Sequence, residues 1–103
     1  MRSVDLALYS DALAGRASLL ACELERARAR LRQGTLELEA RAALGEAVVE
    51  RLEQLGVLGR FDPAVQREEI ADLAAGLRAL EELQAWVEAR LFALREEGLA
   101  LTE

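Results

Sequence analysis

The stretch IADLAAGLRALEELQAWVEARLFAL, residues 70–94, predicts a long helix with one apolar face. Its apolar positions recur every three or four residues over almost four heptads, the period of a helix that packs against another helix. Asp62 and Pro63 precede it, and both residue types favour a helix start. The sequence therefore predicts a helix over about 63–97. The stripe consists of Ile70, Leu73, Leu77, Leu80, Gln84, Val87, Leu91 and Leu94.

Two large apolar side chains lie outside that stripe. Leu83 and Trp86 widen it near its middle, which indicates that this helix faces more than one neighbour. An aromatic residue in such a position is either part of a core or an anchor for a partner protein. Gln84 is the only polar residue in the stripe. It either sets the register of the helix pair or lies at a solvated edge.

The N-terminal half of the chain has a second stripe of the same period, so we expect a helix over about 4–55. The spacing continues through Leu24, Leu31, Leu38, Gly45 and Leu52 in steps of seven residues. The first part of this stripe, the candidate interface for self-association, consists of Leu6, Tyr9, Leu13, Ala17, Leu20 and Leu24, followed by Ala27 and Leu31.

Gly34 is the one position that leaves two folds open. Basic residues before it and acidic residues after it favour a helix end there, and Thr35 could cap a new helix. The unbroken stripe favours a helix that continues through Gly34, at a cost of about 1 kcal/mol. Replacing Gly34 with Ala would stabilise a continuous helix by roughly 0.5–1 kcal/mol and destabilise a turn.

Two other glycines are predicted to end helices, and the segment 56–62 is predicted to be a loop. Gly56 lies between Leu52 and Val57, and Gly98 between Leu94 and Leu99, the apolar pairs that accompany a Schellman cap. The chain after Gly98 would then be a short tail. Within the loop, Val57, Leu58 and Phe61 are expected to cover the end of the helix pair.

These elements predict an all-α fold, a single domain over residues 1–103 built as a long antiparallel, coiled-coil-like helical hairpin. A helix of about fifty residues spans ~75 Å and one of about thirty-five only ~50 Å. The start of the first helix would then lack a partner, so we expect a homodimer that forms a four-helix bundle. The alternative, a three-helix bundle with a turn at Gly34-Thr35, would not need a second copy.

The composition argues against an enzyme. The chain contains neither His nor Lys, and all thirteen of its basic residues are Arg. It therefore lacks an imidazole base, a lysine nucleophile and a P-loop lysine. We expect no catalytic site, cofactor or metal. The single cysteine, Cys22, has apolar neighbours and is predicted to be buried. The exclusive use of Arg suggests a GC-rich, bacterial genome.

The only cluster of basic residues is the run Arg26, Arg28, Arg30 and Arg32. Glu23 and Glu25 lie one helical turn before the first two of these residues, so ion pairs on the helix surface are expected. A contact with a polyanion is the alternative. It is disfavoured because the chain has a net charge of −6 and only four aromatic residues.

The sequence favours a non-catalytic protein–protein interaction module, such as an adaptor, assembly factor or chaperone-like protein, acting through helix packing. The alternative function is a nucleic-acid-binding helical dimer that uses Arg26–Arg32. Charged residues within 4–24 argue against a membrane span, and no signal peptide is evident, so the cytoplasm is the expected compartment. A further protein partner is expected, but its identity cannot be read from these residues.

Overall fold

Three helices make up the part of the chain that the structure describes. The computed structural model describes residues 3–102, with side-chain environments for residues 3–98. Helix α1 spans Ser3–Ala43, α2 spans Glu46–Gln54 and α3 spans Pro63–Thr102. No strand occurs within residues 3–102. The all-α fold with α1 packed against α3, as in a helical hairpin, is therefore confirmed. None of these helices combines the length and apolar character that crossing a membrane requires.

Helix α1 continues through Gly34, so the alternative with a turn at Gly34-Thr35 is wrong. The hydroxyl of Thr35 donates a hydrogen bond to the carbonyl oxygen of Leu31 at 2.8 Å, the bond that Thr makes inside a helix. The hydroxyl is thus turned back onto the preceding helical turn and does not cap a new helix.

The predicted end of the first helix at about residue 55 is also wrong, because α1 ends at Ala43 and α2 begins at Glu46. Gly45 has an extended backbone (φ −70°, ψ 155°) and is the N-cap of α2. Nothing lies within 4 Å of the Cβ that a larger residue would place there. A glycine contributes no side chain to an apolar stripe, so the heptad spacing of Gly45 did not predict its conformation.

Both predicted signals around the loop are confirmed. Gly56 has φ +75°, and the amide of Val57 donates to the carbonyl of Leu52 at 3.0 Å while that of Gly56 donates to Glu53 at 3.0 Å. These are the two hydrogen bonds of a Schellman cap. At the other end, a carboxylate oxygen of Asp62 accepts from the amide of Ala64 at 2.9 Å, which caps α3.

The C-terminal boundary of α3 differs from the predicted one near residue 97. The helix runs on through Gly98 to Thr102, so Gly98 is not a helix stop. Gly56 is the only residue in the described part of the chain with a positive φ. An apolar pair around a glycine is therefore not sufficient for a Schellman cap, because a glycine also remains helical at a cost of about 1 kcal/mol.

The chain divides into two compact units, and the prediction of a single domain stays a prediction. The first unit combines α1 as far as Glu23 with α3 from Leu73 onward. Its buried core consists of Leu6, Leu13, Val87 and Leu91, with Leu80 and Leu94 partly buried against them. These residues belong to the two predicted stripes, which therefore pack against each other within one chain.

The second unit spans Leu24–Asp72 and buries Leu24, Ala27 and Leu58. The loop thus contributes one core residue, Leu58, as predicted. Val57 remains 58% exposed, so its expected role in covering the helix ends is wrong. Phe61 is half-buried because its ring lies on the backbone of α1 at Gly34. A Cβ at position 34 would overlap that ring.

We therefore expect Gly34→Ala to destabilise the protein by about 1–3 kcal/mol, the cost of overpacking, although α1 is continuous there. This reverses the sign expected for an isolated helix. Gly15→Ala is the matched control, because Gly15 also lies in α1 and nothing is within 4 Å of its added Cβ. That variant should gain about 0.5–1 kcal/mol. Urea denaturation followed by circular dichroism measures both, and a gain at both positions would contradict the Phe61 contact.

Leu24→Asp should lower the free energy of unfolding by about 3 kcal/mol or more, because Leu24 is buried and an aspartate there would lose its hydration. Leu36→Asp is the control in the same helix, since Leu36 is exposed. Its effect should stay within about 0.5 kcal/mol. Equal thermal stability of the two variants by circular dichroism would show that the assigned core is wrong.

Candidate interaction surface

An apolar groove runs along one side of the first unit. It has a volume of about 890 Å³. Each helix contributes the positions next to its core stripe, spaced by three or four residues, so the groove follows the helix pair. The α1 rim consists of Tyr9, Ala12, Arg16, Leu19 and Glu23, and the α3 rim of Gly76, Ala79 and Leu83, with core residues Leu13, Leu20 and Leu80 forming the floor.

Large apolar side chains are exposed on both rims. Leu19 is 68% exposed, Tyr9 45% and Leu83 37%. Trp86 follows Leu83 by three residues, so it continues the α3 rim, and it is 58% exposed. Of the two roles that the sequence left open for Trp86, a core position is therefore wrong, and Tyr9 likewise lies outside the core. Contiguous exposed apolar surface of this kind marks a site of interaction more often than scattered single residues do.

Only two charged residues line the groove, and they have opposite signs. Arg16 and Glu23 both lie on the α1 rim, two helical turns apart, whereas the lining part of the α3 rim is uncharged. The groove is therefore neutral on a chain whose net charge is −6. This neutrality means that another helix can approach the groove without strong charge repulsion.

The residues predicted to form the self-association interface mostly have another role. Leu6, Leu13 and Leu24 are buried within the chain, and Ala17 and Leu20 are partly buried. Of the six, Tyr9 alone is largely exposed. The expected shortage of partner surface was wrong because α1 ends at Ala43, so α1 and α3 have nearly equal lengths of 41 and 40 residues, and Val87 and Leu91 of α3 pack against the start of α1. Self-association itself stays a prediction, and the exposed groove residues are better placed to support it.

This surface was only partly indicated by the sequence. Leu83 and Trp86 stood outside the apolar stripe, and that position is what exposes them. Leu19 gave no signal of its own, because its place beside Leu20 made it indistinguishable from an ordinary core neighbour. The positions that flank a regular stripe are thus the ones to inspect when a helix pair is expected to bind a partner.

Two members of the arginine run are paired within the second unit. Arg28 forms an ion pair with Glu25 at 2.7 Å, as its spacing predicted, and Arg30 pairs with Glu69 on α3 at 3.0 Å. Both pairs are exposed and contribute little stability. A polyanion would nevertheless have to compete with carboxylates for the guanidiniums of Arg28 and Arg30. The other members of the run are Arg26 and Arg32.

Cys22 is exposed, so the prediction of a buried thiol is wrong. The prediction relied on the apolar neighbours of Cys22 in the sequence. Cys22 lies two residues before Leu24, so it is on a different face of the helix from the core stripe. Among residues 3–102, no three Asp, Glu or Cys side chains lie close enough together to hold a metal ion.

A second, more polar cavity lies in the second unit and has a structural role. Arg41 lines it and binds two groups at once: its guanidinium pairs with Glu53 and donates to the carbonyl oxygen of Gly59 at 2.9 Å. These bonds tie α2 and the loop before α3 to the end of α1. The lining residues are Leu38, Arg41, Glu53, Leu58, Gly59, Arg60 and Phe61.

Comparison with known proteins does not assign this chain to a family. No protein family, curated protein or solved structure matches the chain. The groove and its charges are therefore the basis for the function proposed below.

Arg41→Ala is expected to destabilise the protein by about 1 kcal/mol, because it removes a charged hydrogen bond to a backbone carbonyl in a partly exposed position. It should also make the segment between α2 and α3 more sensitive to limited proteolysis. Arg26→Ala serves as the control and should leave both properties unchanged. Identical cleavage rates for the two variants would contradict a role for Arg41 in holding the loop.

Proposed function

We propose that this protein is a non-catalytic protein–protein interaction module that binds a helix of its partner in the apolar groove of the first unit. The observation that carries the proposal is the row of exposed apolar side chains along the groove, above all Leu19 and Trp86. An amphipathic helix laid into an apolar groove is a common mode of recognition between proteins.

The dimensions of the groove suit this mode. Its α1 rim extends from Tyr9 to Glu23, which corresponds to ~21 Å along the helix axis. A partner helix of about fourteen residues, two heptads, has the same length. Such a helix presents four apolar side chains at its a and d positions, as many as the large side chains Tyr9, Leu19, Leu83 and Trp86 exposed along the rims.

The free energy gained by burying apolar side chains favours a function in helix packing. Burying a large apolar side chain completely stabilises a complex by about 1.5–3 kcal/mol before the costs of association are subtracted. Leu19, Tyr9 and Trp86 together could therefore support binding of modest affinity. The chain has neither His nor Lys, so an adaptor, assembly factor or chaperone-like protein fits its chemistry better than an enzyme does. The cytoplasm is the compartment in which we place this role.

The arginine run gives less support for the nucleic-acid alternative. Arg28 and Arg30 already bind carboxylates, and the exposed aromatic residues Tyr9 and Trp86 belong to the other unit of the chain. A nucleic-acid site usually combines several unpaired cations with aromatic platforms on one surface. The groove offers the more continuous surface, so we favour a protein partner.

Site-specific photocrosslinking in cells that express the protein tests this proposal. We expect a benzophenone side chain at position 19 to give discrete adducts, because Leu19 projects into the groove. The same group at position 92 is the matched control, since Phe92 is 64% exposed and lies on the face of α3 opposite Leu83.

Adducts that form at position 19, are absent at position 92 and disappear with Leu83→Asp would support a helix-binding groove. An absence of adducts at position 19, or the same adducts at both positions, would overturn the proposed function.

A further inference from the structure

We propose that the groove is occupied by a second copy of this chain. In this dimer, two grooves face each other about a two-fold axis that runs parallel to the helices, so that α1 of each copy lies on α3 of the other. This inference rests on the proposed function, because it names the partner of the same groove. It follows from the order of side-chain sizes and charges along the two rims.

The packing of α1 against α3 within the first unit sets which residues lie at the same height. Leu20 lies 3.6 Å from the position of a Cβ on Gly76, and at the other end Leu6 and Leu13 pack with Val87 and Leu91. Counting from these contacts, Leu19 lies level with Gly76 and Tyr9 lies level with Trp86. A two-fold axis along the helices keeps these heights, so each α1 rim meets the partner's α3 rim in the same register.

Large and small residues alternate between the rims at matching heights. Leu19 is the most exposed apolar residue of the groove, and Gly76 opposite it has no side chain. Leu83 lies level with Ala12, whose side chain is a single methyl group. In the proposed dimer each Leu19 fills the space over the partner's Gly76, and each Leu83 packs over the partner's Ala12. This arrangement resembles the insertion of knobs into holes between packed helices.

The aromatic residues meet at one end of the same surface. Tyr9 of one copy lies against Trp86 of the other, and the symmetry repeats the pair. Both side chains are about half exposed in the single chain. Offset or edge-to-face contact between aromatic rings adds attraction beyond the burial of their area.

Two pairs of opposite charge lie along the outer edges of the rims in this register, whereas Glu23 at the end of the α1 rim meets no opposite charge. Asp5 on the α1 side and Arg90 on the α3 side lie level, and Glu82 lies within one helical turn of the height of Arg16, a distance that the long Arg side chain spans. All four residues are exposed, and the ion pairs within residues 3–98 do not include them. The dimer therefore sets Asp5 against the partner's Arg90 and Arg16 against the partner's Glu82, each pair formed twice.

This pattern favours a second copy over an unrelated helix. The chain has a net charge of −6, so two copies repel each other unless opposite charges meet at the contact. An unrelated partner would have to reproduce both the order of sizes and the order of signs, whereas a second copy supplies both by symmetry. Exposed ion pairs mainly fix the orientation of a complex, and the apolar rims supply its affinity.

The first experiment measures mass in solution by sedimentation or light scattering over a range of concentrations. We expect a species of twice the 11.3 kDa chain mass. Leu19→Asp should shift it to the single-chain mass while the helix content by circular dichroism stays the same, because Leu19 is exposed in the single chain. Phe92→Asp, a change of equal charge outside the groove, should leave the dimer intact.

The second experiment separates contacts between chains from contacts within a chain. Arg16→Glu and Glu82→Arg should each weaken the dimer by about tenfold or more, because each places like charges opposite each other twice. An equimolar mixture of the two variants should recover the wild-type affinity, since every contact in the mixed dimer again joins opposite charges. A contact within one chain would not be repaired by mixing.

A single-chain mass at all concentrations overturns this inference. Failure of the mixture to recover affinity overturns the arrangement of α1 on the partner's α3, and a dimer that survives Leu19→Asp removes the groove from the interface. The crosslinks at position 19 distinguish these failures from failure of the proposed function: adducts with other proteins and a single-chain mass would leave a helix-binding groove without self-association.

Discussion

The fold depends on the packing of two apolar stripes, one from each long helix, against each other. The stripe of α1 buries Leu6 and Leu13, and that of α3 buries Val87 and Leu91. With few aromatic side chains available, the chain fills its interior with Leu, Val and Ala. Such side chains make a narrow core, and a narrow core leaves the residues on either side of each stripe in contact with solvent. The groove is a direct result of that geometry.

The period of the sequence was sufficient to predict the helices and the residues that face the core. The cap at Asp62 and the Schellman cap at Gly56 were also predictable, because each depends on neighbouring residues alone. Gly34 and Gly45 were not. Gly34 remains helical while Phe61 packs against it, and Gly45, without such a contact, lies between two helices. The contact at Gly34 comes from a residue far along the chain, which no local pattern contains.

The interaction surface was predictable only in part, for a related reason. The regular stripe identified residues that need a partner, and the structure supplies that partner from the same chain. The exposed residues are those that depart from the stripe, such as Leu19, Leu83 and Trp86. A sequence shows that such residues are apolar, but the relative lengths of α1 and α3 decide whether the stripe or its flanks remain uncovered.

The contact between Phe61 and Gly34 has a consequence for how the two long helices align during folding. Helices with heptad stripes are prone to slip by seven residues, since such a shift brings leucines opposite leucines again. A slip of this size would carry the ring of Phe61 from Gly34 to Ala27 or Arg41, and both of those residues have a Cβ where the ring would have to lie. The contact between one glycine and one aromatic ring therefore specifies the register of the two helices, which the repeating stripes alone leave ambiguous.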